Sequence, residues 1–310
     1  MATFLLPAAA RFGGQQTGAA TALALGRADR GPQQPPGRRA QLLRHFDLVP
    51  KHWAIAALMR QAETGDAAGA CWLRADPAHV RPDINGARLL ACGETLALDD
   101  ADRTAFLPAL QPLFGDAGFA IDAPTPSHWY LRLPRETKLP EFTEPDDALG
   151  ADLFDHLAEG TEGRRWRVLL GEAQVVLHNH PWNAQRAARG KPQVNTLWFW
   201  GGGVLPDVVR SQHAMACSGD ESARALAHAA DIAQPMPARF APCLGDAVFD
   251  LHDGRDLAML DQAWLQPAIE ALGRGDLQRL TLDFADGSIH EFTRGQRWRF
   301  WRKSLPRLDA

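Results

Sequence analysis

Cysteine is scarce and scattered. Cys71, Cys92, Cys217 and Cys243 stand far apart and no two form a C-x-x-C pair. That spacing excludes a zinc ribbon and a thioredoxin-type motif, and it fits a reduced, cytoplasmic setting. An excess of positive charge is also missing. Lys and Arg number 33 against 37 Asp and Glu, for a formal net charge of -4. No global field draws such a chain to nucleic acid or to an anionic membrane, so nucleic acid is not an expected partner. No apolar run is long enough to span a bilayer. The opening stretch MATFLLPAAARFGG lacks a basic flank and is broken by Pro7, so it does not read as a signal peptide. There is no Walker loop, no G-x-G-x-x-G fingerprint and no G-x-S-x-G elbow. One tyrosine stands against ten tryptophans, so indoles are the large packing groups.

What is present reads as an alternation of strands and helices. Residues 3–6 suit a first strand, and residues 27–40 (RADRGPQQPPGRRA) an exposed Pro/Gln-rich loop. Residues 76–83 place prolines among polar groups, as in a rigid loop between strands or a small polar binding loop. Asp99 or Asp100 caps a helix to about residue 114, which Pro108 and Pro112 should bend or shorten. Trp166, Leu169, Leu170, Ala173, Val176 and Leu177 form one helical face. Residues 195–200 read as a strand buried on both sides. Ser218-Gly219-Asp220 reads as a loop with Asp220 capping the next helix, rather than as a nucleophile. Further strands fall at 247–249, at 280–282 and from 289. The pattern predicts an α/β fold with a mostly parallel sheet flanked by helices, plus a smaller α+β N-terminal portion. The expected domains are 1–150 and 151–310, divided by the Pro- and acid-rich stretch 134–150.

The run HPWNAQRAARGKPQVNTLWFWGGG, residues 180–203, is the most specific stretch. A buried strand ending in glycines points to the carboxyl edge of a sheet, where open α/β folds bind ligands. Backbone N–H groups of Gly201, Gly202 and Gly203 would cradle an anion, helped by Asn183, Arg186, Arg189 and Asn195. The expected ligand is a small phosphorylated or carboxylated molecule. The alternative is a tight turn beneath the tryptophans.

The ordered positions His180, Pro181, Asn183, Arg186, Arg189, Gly190, Pro192, Asn195, Trp198, Trp200, Gly201 and Gly203 resemble a segment of archaeal-type cofactor-independent phosphoglycerate mutases. Those belong to the alkaline phosphatase superfamily. With WLRADPAHVRPD (72–83), HWYLRLP (128–134) and RWRFWR (297–302), the chain is also similar to a proteobacterial group of mutase-like regulatory proteins, the RpfE type. The mutase resemblance implies a two-metal phosphoryl-transfer site with Asp and His ligands and a Ser or Thr nucleophile. Three ligand positions it implies are altered. The first strand runs Leu5-Leu6 without a carboxylate, Leu260 replaces a histidine, and Asp283 is followed by Phe284. Asp250, His252 and Asp256 remain as candidate metal ligands, with a polar turn as the alternative for that loop.

The expectation is therefore a regulatory or small-anion-binding protein without enzymatic activity or cofactor, with a possible protein partner. One alternative is an active phosphoglycerate mutase or phosphatase with a rearranged site for a divalent metal such as Mn or Zn. Another is a protein-interaction scaffold. In the tail, arginines alternate with Trp298 and Phe300, as in an edge strand with one solvated face.

Overall fold

The computed structural model describes residues 1–83 and 86–308. The chain runs β1 (Ala2–Leu6), α1 (Ala19–Arg27), β2 (Asp29–Arg30), α2 (Arg38–Leu43), β3 (Phe46–Val49), α3 (Ile55–Thr64), β4 (Cys71–Asp83), β5 (Gly86–Cys92), α4 (Asp100–Asp116), β6 (Ala120–Asp122) and β7 (Tyr130–Leu133). It continues through α5 (Pro145–Ala148), α6 (Gly160–His178), α7 (Trp182–Ala188), β8 (Thr196–Val204), β9 (Val208–Ser211), β10 (Met215–Ser218), α8 (Glu221–Ala229) and β11 (Ala233–Gln234). Last come β12 (Ala247–Asp250), α9 (Leu257–Leu260), α10 (Gln266–Arg274), β13 (Arg279–Phe284) and β14 (Ile289–Thr293). The fold is α/β, with a largely parallel sheet flanked by helices and an α+β region that takes in most of the N-terminal half.

The compact units do not follow the expected break at 150. One is Met1–Leu48 together with residues 208 onward, and the other is Val49–Asp207. The reason is β1. It lies between β12 and β13 and is parallel to both, so the first strand of the chain closes the centre of a sheet made largely by the last hundred residues. Periodicity identifies a strand but not a partner so distant in sequence.

In the first unit the strand order is β11-β10-β12-β1-β13-β14-β2. Every residue of β1 is buried, as expected of a central parallel strand covered on both faces. Phe4 anchors that core, with its ring 5.5 Å from Phe240, 5.9 Å from Phe249 and 5.7 Å from Trp264. Register aligns Leu5 with Asp250 on one side and Asp283 on the other, and Asp250 in turn with Ser218.

In the second unit β4 is the axis and pairs antiparallel with β5, β7 and β8. Residues 76–83 are thus part of one long strand, not a loop between strands. Asp76 accepts from the Trp200 indole at 2.7 Å and the Trp129 amide at 3.1 Å, and it pairs with Arg74 at 2.9 Å. Helix α4 runs unbroken through Pro108 and Pro112. Both prolines lie on its solvent face, while Asp102, Phe106, Leu110 and Phe114 form the packed stripe.

Candidate active site at the carboxyl edge of the parallel sheet

Ser218 and Asp250 end β10 and β12, and Asp283 is the last residue but one of β13, with Leu5 of β1 between the two carboxylates. This is the edge where open α/β sheets bind ligands. Helix α2 and the turn that follows it supply the cations, Arg38 from its first residue and Arg44 from its C-cap. Arg38 reaches Asp250 at 2.5 Å and Asp220 at 3.2 Å. Arg44 grips Asp283 with two nitrogens, at 2.9 and 2.5 Å. Gln41 ties the helix to the strands, donating to the carbonyls of Leu6 at 2.9 Å and Asp283 at 2.6 Å.

These contacts set the ionisation of the edge. Burial works against charge on Arg38, but Asp250 and Asp220 outweigh it and raise its pKa. Burial likewise opposes ionisation of Asp283, yet His45 and Arg44 hold its carboxyl below the usual range. The Ser218 hydroxyl donates to Asp250 Oδ2 at 2.6 Å and accepts the Asp220 amide at 2.9 Å. His252 is buried, and burial together with Arg38 lowers its pKa to about 3. Its Nδ1 has no hydrogen-bond partner among the described residues.

A second line of groups runs from Asp283. His45 Nε2 lies 2.8 Å from Asp283, and His45 Nδ1 lies 3.0 Å from His213 Nε2. His213 Nδ1 faces Asp246 at 3.6 Å, too long for a hydrogen bond. Bonding all three gaps takes three N–H groups, and two neutral imidazoles carry two. Burial and neighbouring His45 lower the pKa of His213, so the third proton is disfavoured.

The residues expected to bind an anion lie in the second unit and are engaged otherwise. Asn183 bonds the carbonyls of Leu177 at 2.8 Å and Val194 at 2.9 Å. Arg186 is buried in an ion pair with Asp102 and bonds the carbonyls of Leu96 and Pro192, each at 2.8 Å. Asn195 brackets the Val80 backbone. Arg189 stacks over Trp182, 5.5 Å from the ring centre. Gly201, Gly202 and Gly203 do not follow a strand at a parallel edge; they lie within β8, which is antiparallel to β4. They bring α3 close. A Cβ on Gly201 would stand 2.4 Å from Ile55 Cγ2, and one on Gly203 2.7 Å from Ala54 Cβ.

Of the candidate metal ligands, Asp250 and His252 reach the carboxyl edge. Asp256 instead caps α9, accepting from the amides of Ala258 and Met259. Asp220 caps α8 as expected, accepting from the Ala223 amide at 2.8 Å. Sequence reasoning missed Arg38, Arg44 and His45, and it set Ser218 aside. The signal for the first three was the spacing of RRAQLLRH, half hidden inside a stretch read as loop. The tail also differs from expectation. Arg294–Trp298 is a 3-10 turn, and Trp298, Phe300 and Trp301 are all exposed.

No family model matches the chain. Curated relatives do. A 2,3-bisphosphoglycerate-independent phosphoglycerate mutase of Methanothrix thermoacetophila is 28% identical over 149 residues, which is 48% of this chain and 36% of the relative. The corresponding mutase of Methanosarcina acetivorans is 35% identical over 79 residues, 26% of this chain and 20% of its own. The chain thus matches about a third or less of the length of these relatives. The matches support a relationship to the cofactor-independent phosphoglycerate mutases. They do not support the specific RpfE-type regulatory group. Among solved structures, the cofactor-independent phosphoglycerate mutase of Thermoplasma acidophilum aligns with TM-score 0.43 and 15% identity over 95% of this chain and 90% of that one.

Two expectations are corrected by these findings. A chain without enzymatic activity is at odds with relatives that are each, by name, a mutase. An absent cofactor is at odds with the same relationship and with ligand-type atoms already close together: Glu94 and His128 of the second unit lie 4.0 Å apart. No helix of the structure is long and apolar enough to cross a membrane.

Proposed function

We propose that the protein is a phosphoryl-transfer enzyme of the phosphoglycerate mutase or phosphatase kind, with a rearranged cation site. The observation that carries this reading is the row Ser218, Asp250, Asp283 at the carboxyl edge, with a hydroxyl hydrogen-bonded to a carboxylate at 2.6 Å. The relationship to the mutases supports it.

A two-cation cage does not fit these residues. Guanidinium groups already neutralise Asp250 and Asp283, and Leu5 separates them. For one cation the edge offers His252 Nδ1, which is buried without a partner among the described residues, and Asp253, whose carboxyl is pushed above its usual range by burial and by the charges of Asp220 and Asp250. Asp220, His252 and Asp253 do not converge as a preformed three-ligand cluster among the described residues. His252 and Asp253 would meet a cation there. When bound, it supplies positive charge to the phosphoryl oxygens.

The chain's own groups do the rest. In this reading Ser218 Oγ forms the new bond to phosphorus as the substrate's ester P–O bond breaks, and Asp250 takes the serine proton and passes it to the departing alkoxide. Arg38 pairs with the same carboxylate at 2.5 Å. Transfer from Ser218 to a second hydroxyl completes a mutase cycle, and transfer to water a phosphatase cycle.

The test is turnover of 3-phosphoglycerate and of an aryl phosphate, with chelator and then with added Mn²⁺ or Zn²⁺. Cation-dependent turnover that falls at least about a hundredfold in Ser218→Ala agrees with the role assigned to the hydroxyl. Turnover that survives Ser218→Ala removes it.

A further inference from the structure

A cavity of the first unit takes none of its lining from the carboxyl-edge groups. It has a volume of about 240 Å³ and lies between α1, α10 and β14. Its walls are apolar, built from Ala24, Leu272 and Phe292 among others. Its polar rim is cationic: Arg27, Arg294 and Arg297 line it, and no acidic residue does among the described residues. Arg27 donates through Nη1 to the Arg297 carbonyl at 2.8 Å, which holds two of the three together. Its Nε is buried and has no hydrogen-bond partner among the described residues. A buried guanidinium nitrogen without an acceptor is costly unless something completes it.

We propose that this cavity binds a small anion with an apolar tail, such as a medium-chain carboxylate. An apolar chamber takes the tail, and three guanidinium groups at its mouth take the carboxylate. Size sets the tail. At roughly 30 Å³ per water-sized volume, the cavity holds about eight heavy atoms. The seven-carbon tail of octanoate fits that limit with its carboxylate left at the rim, and the tails of long-chain acids exceed it. Trp298, Phe300 and Trp301, which follow Arg297 in the chain, are exposed.

Titration calorimetry on the full chain tests the proposal with octanoate below its micelle concentration. Inorganic phosphate is the control without a tail, and octylamine the control without an anion. Octanoate should bind saturably, and neither control should. Gly273 lines the cavity inside α10, and a Cβ there meets nothing within 4 Å. Gly273→Leu should fill the chamber and weaken octanoate at least tenfold. Its melting temperature should hold or rise, because leucine favours a helix more than glycine does. Arg294→Gln should weaken octanoate about fivefold through loss of a charged contact. The proposal is overturned if octanoate does not saturate, if octylamine binds as well, or if both variants bind as the parent does. It is also overturned if the protein sediments with anionic vesicles while free octanoate fails to bind. That result would assign the three exposed aromatics and the arginines to a lipid surface.

Discussion

Replacing Gly201 by alanine separates two explanations of the glycine run. In the structure Gly201 has φ +67° and lies in β8 against Ile55. An L side chain in the left-handed region costs roughly 1–2 kcal/mol. The new Cβ would stand 2.4 Å from Ile55 Cγ2 and 3.3 Å from the Ala56 amide nitrogen, so side chain or helix must shift. Overpacking of that kind costs roughly 1–3 kcal/mol. The sum is about 2–5 kcal/mol, a large part of the stability of an ordinary domain. Gly115→Ala is the matched control. It lies in α4 with nothing within 4 Å of its Cβ, so alanine should stabilise by about 0.5–1 kcal/mol. Urea unfolding followed by tryptophan fluorescence is the assay, because seven of the ten tryptophans (53, 72, 129, 166, 182, 198, 200) belong to the second unit. If Gly201→Ala unfolds within about 1 kcal/mol of the parent but loses a phosphate-induced stabilisation, the packing explanation is wrong. The glycines would then form an anion cradle.

Two further outcomes follow from buried charges. Arg186→Met leaves Asp102 buried without its guanidinium partner and should cost roughly 3–5 kcal/mol in the same assay, with no change in any response to phosphate. Burial lowers the pKa of His213 and of His290, so the unfolded chain binds protons that the folded one resists. Stability should therefore be full above about pH 6.5 and fall below it, by roughly 1.4 kcal/mol per pH unit for each histidine until its folded pKa is reached. Asp283, with its folded pKa lowered, adds a second loss as pH drops below about 4. Urea midpoints between pH 8 and pH 3.5 check both, and a midpoint that rises on acidification contradicts them.

Local pattern was readable where burial has a period. The continuous apolar character of residues 3–6 marked β1, the alternation after 289 marked β14, and the stripe from Trp166 to Leu177 marked α6. Helix capping was readable too, since Asp99 and Asp220 both accept the amides their position predicts. Pairing was not. Nothing in residues 2–6 announces partners at 247–250 and 279–284, so the sequence pattern did not join the first strand to the last hundred residues. The 180–203 run is specific because it packs: Asn183, Arg186 and Asn195 serve backbone carbonyls and a buried aspartate. Polar residues doing that job have the same letters as polar residues binding a ligand. Asp250 was visible beforehand, but its arginine lies 212 positions away in a segment whose prolines and glutamines read as a loop. Ser218 carried no motif at all, and only the register of β10 beside β12 places it next to Asp250.

Phosphoryl transfer at the carboxyl edge is tested most directly by ³¹P NMR of the full chain with 3-phosphoglycerate, before and after adding Mn²⁺. Conversion to 2-phosphoglycerate or inorganic phosphate after the cation is added, and its absence in Ser218→Ala, is the predicted result. A 3-phosphoglycerate signal that stays unchanged with every divalent cation tried, in a protein that remains folded, would contradict it.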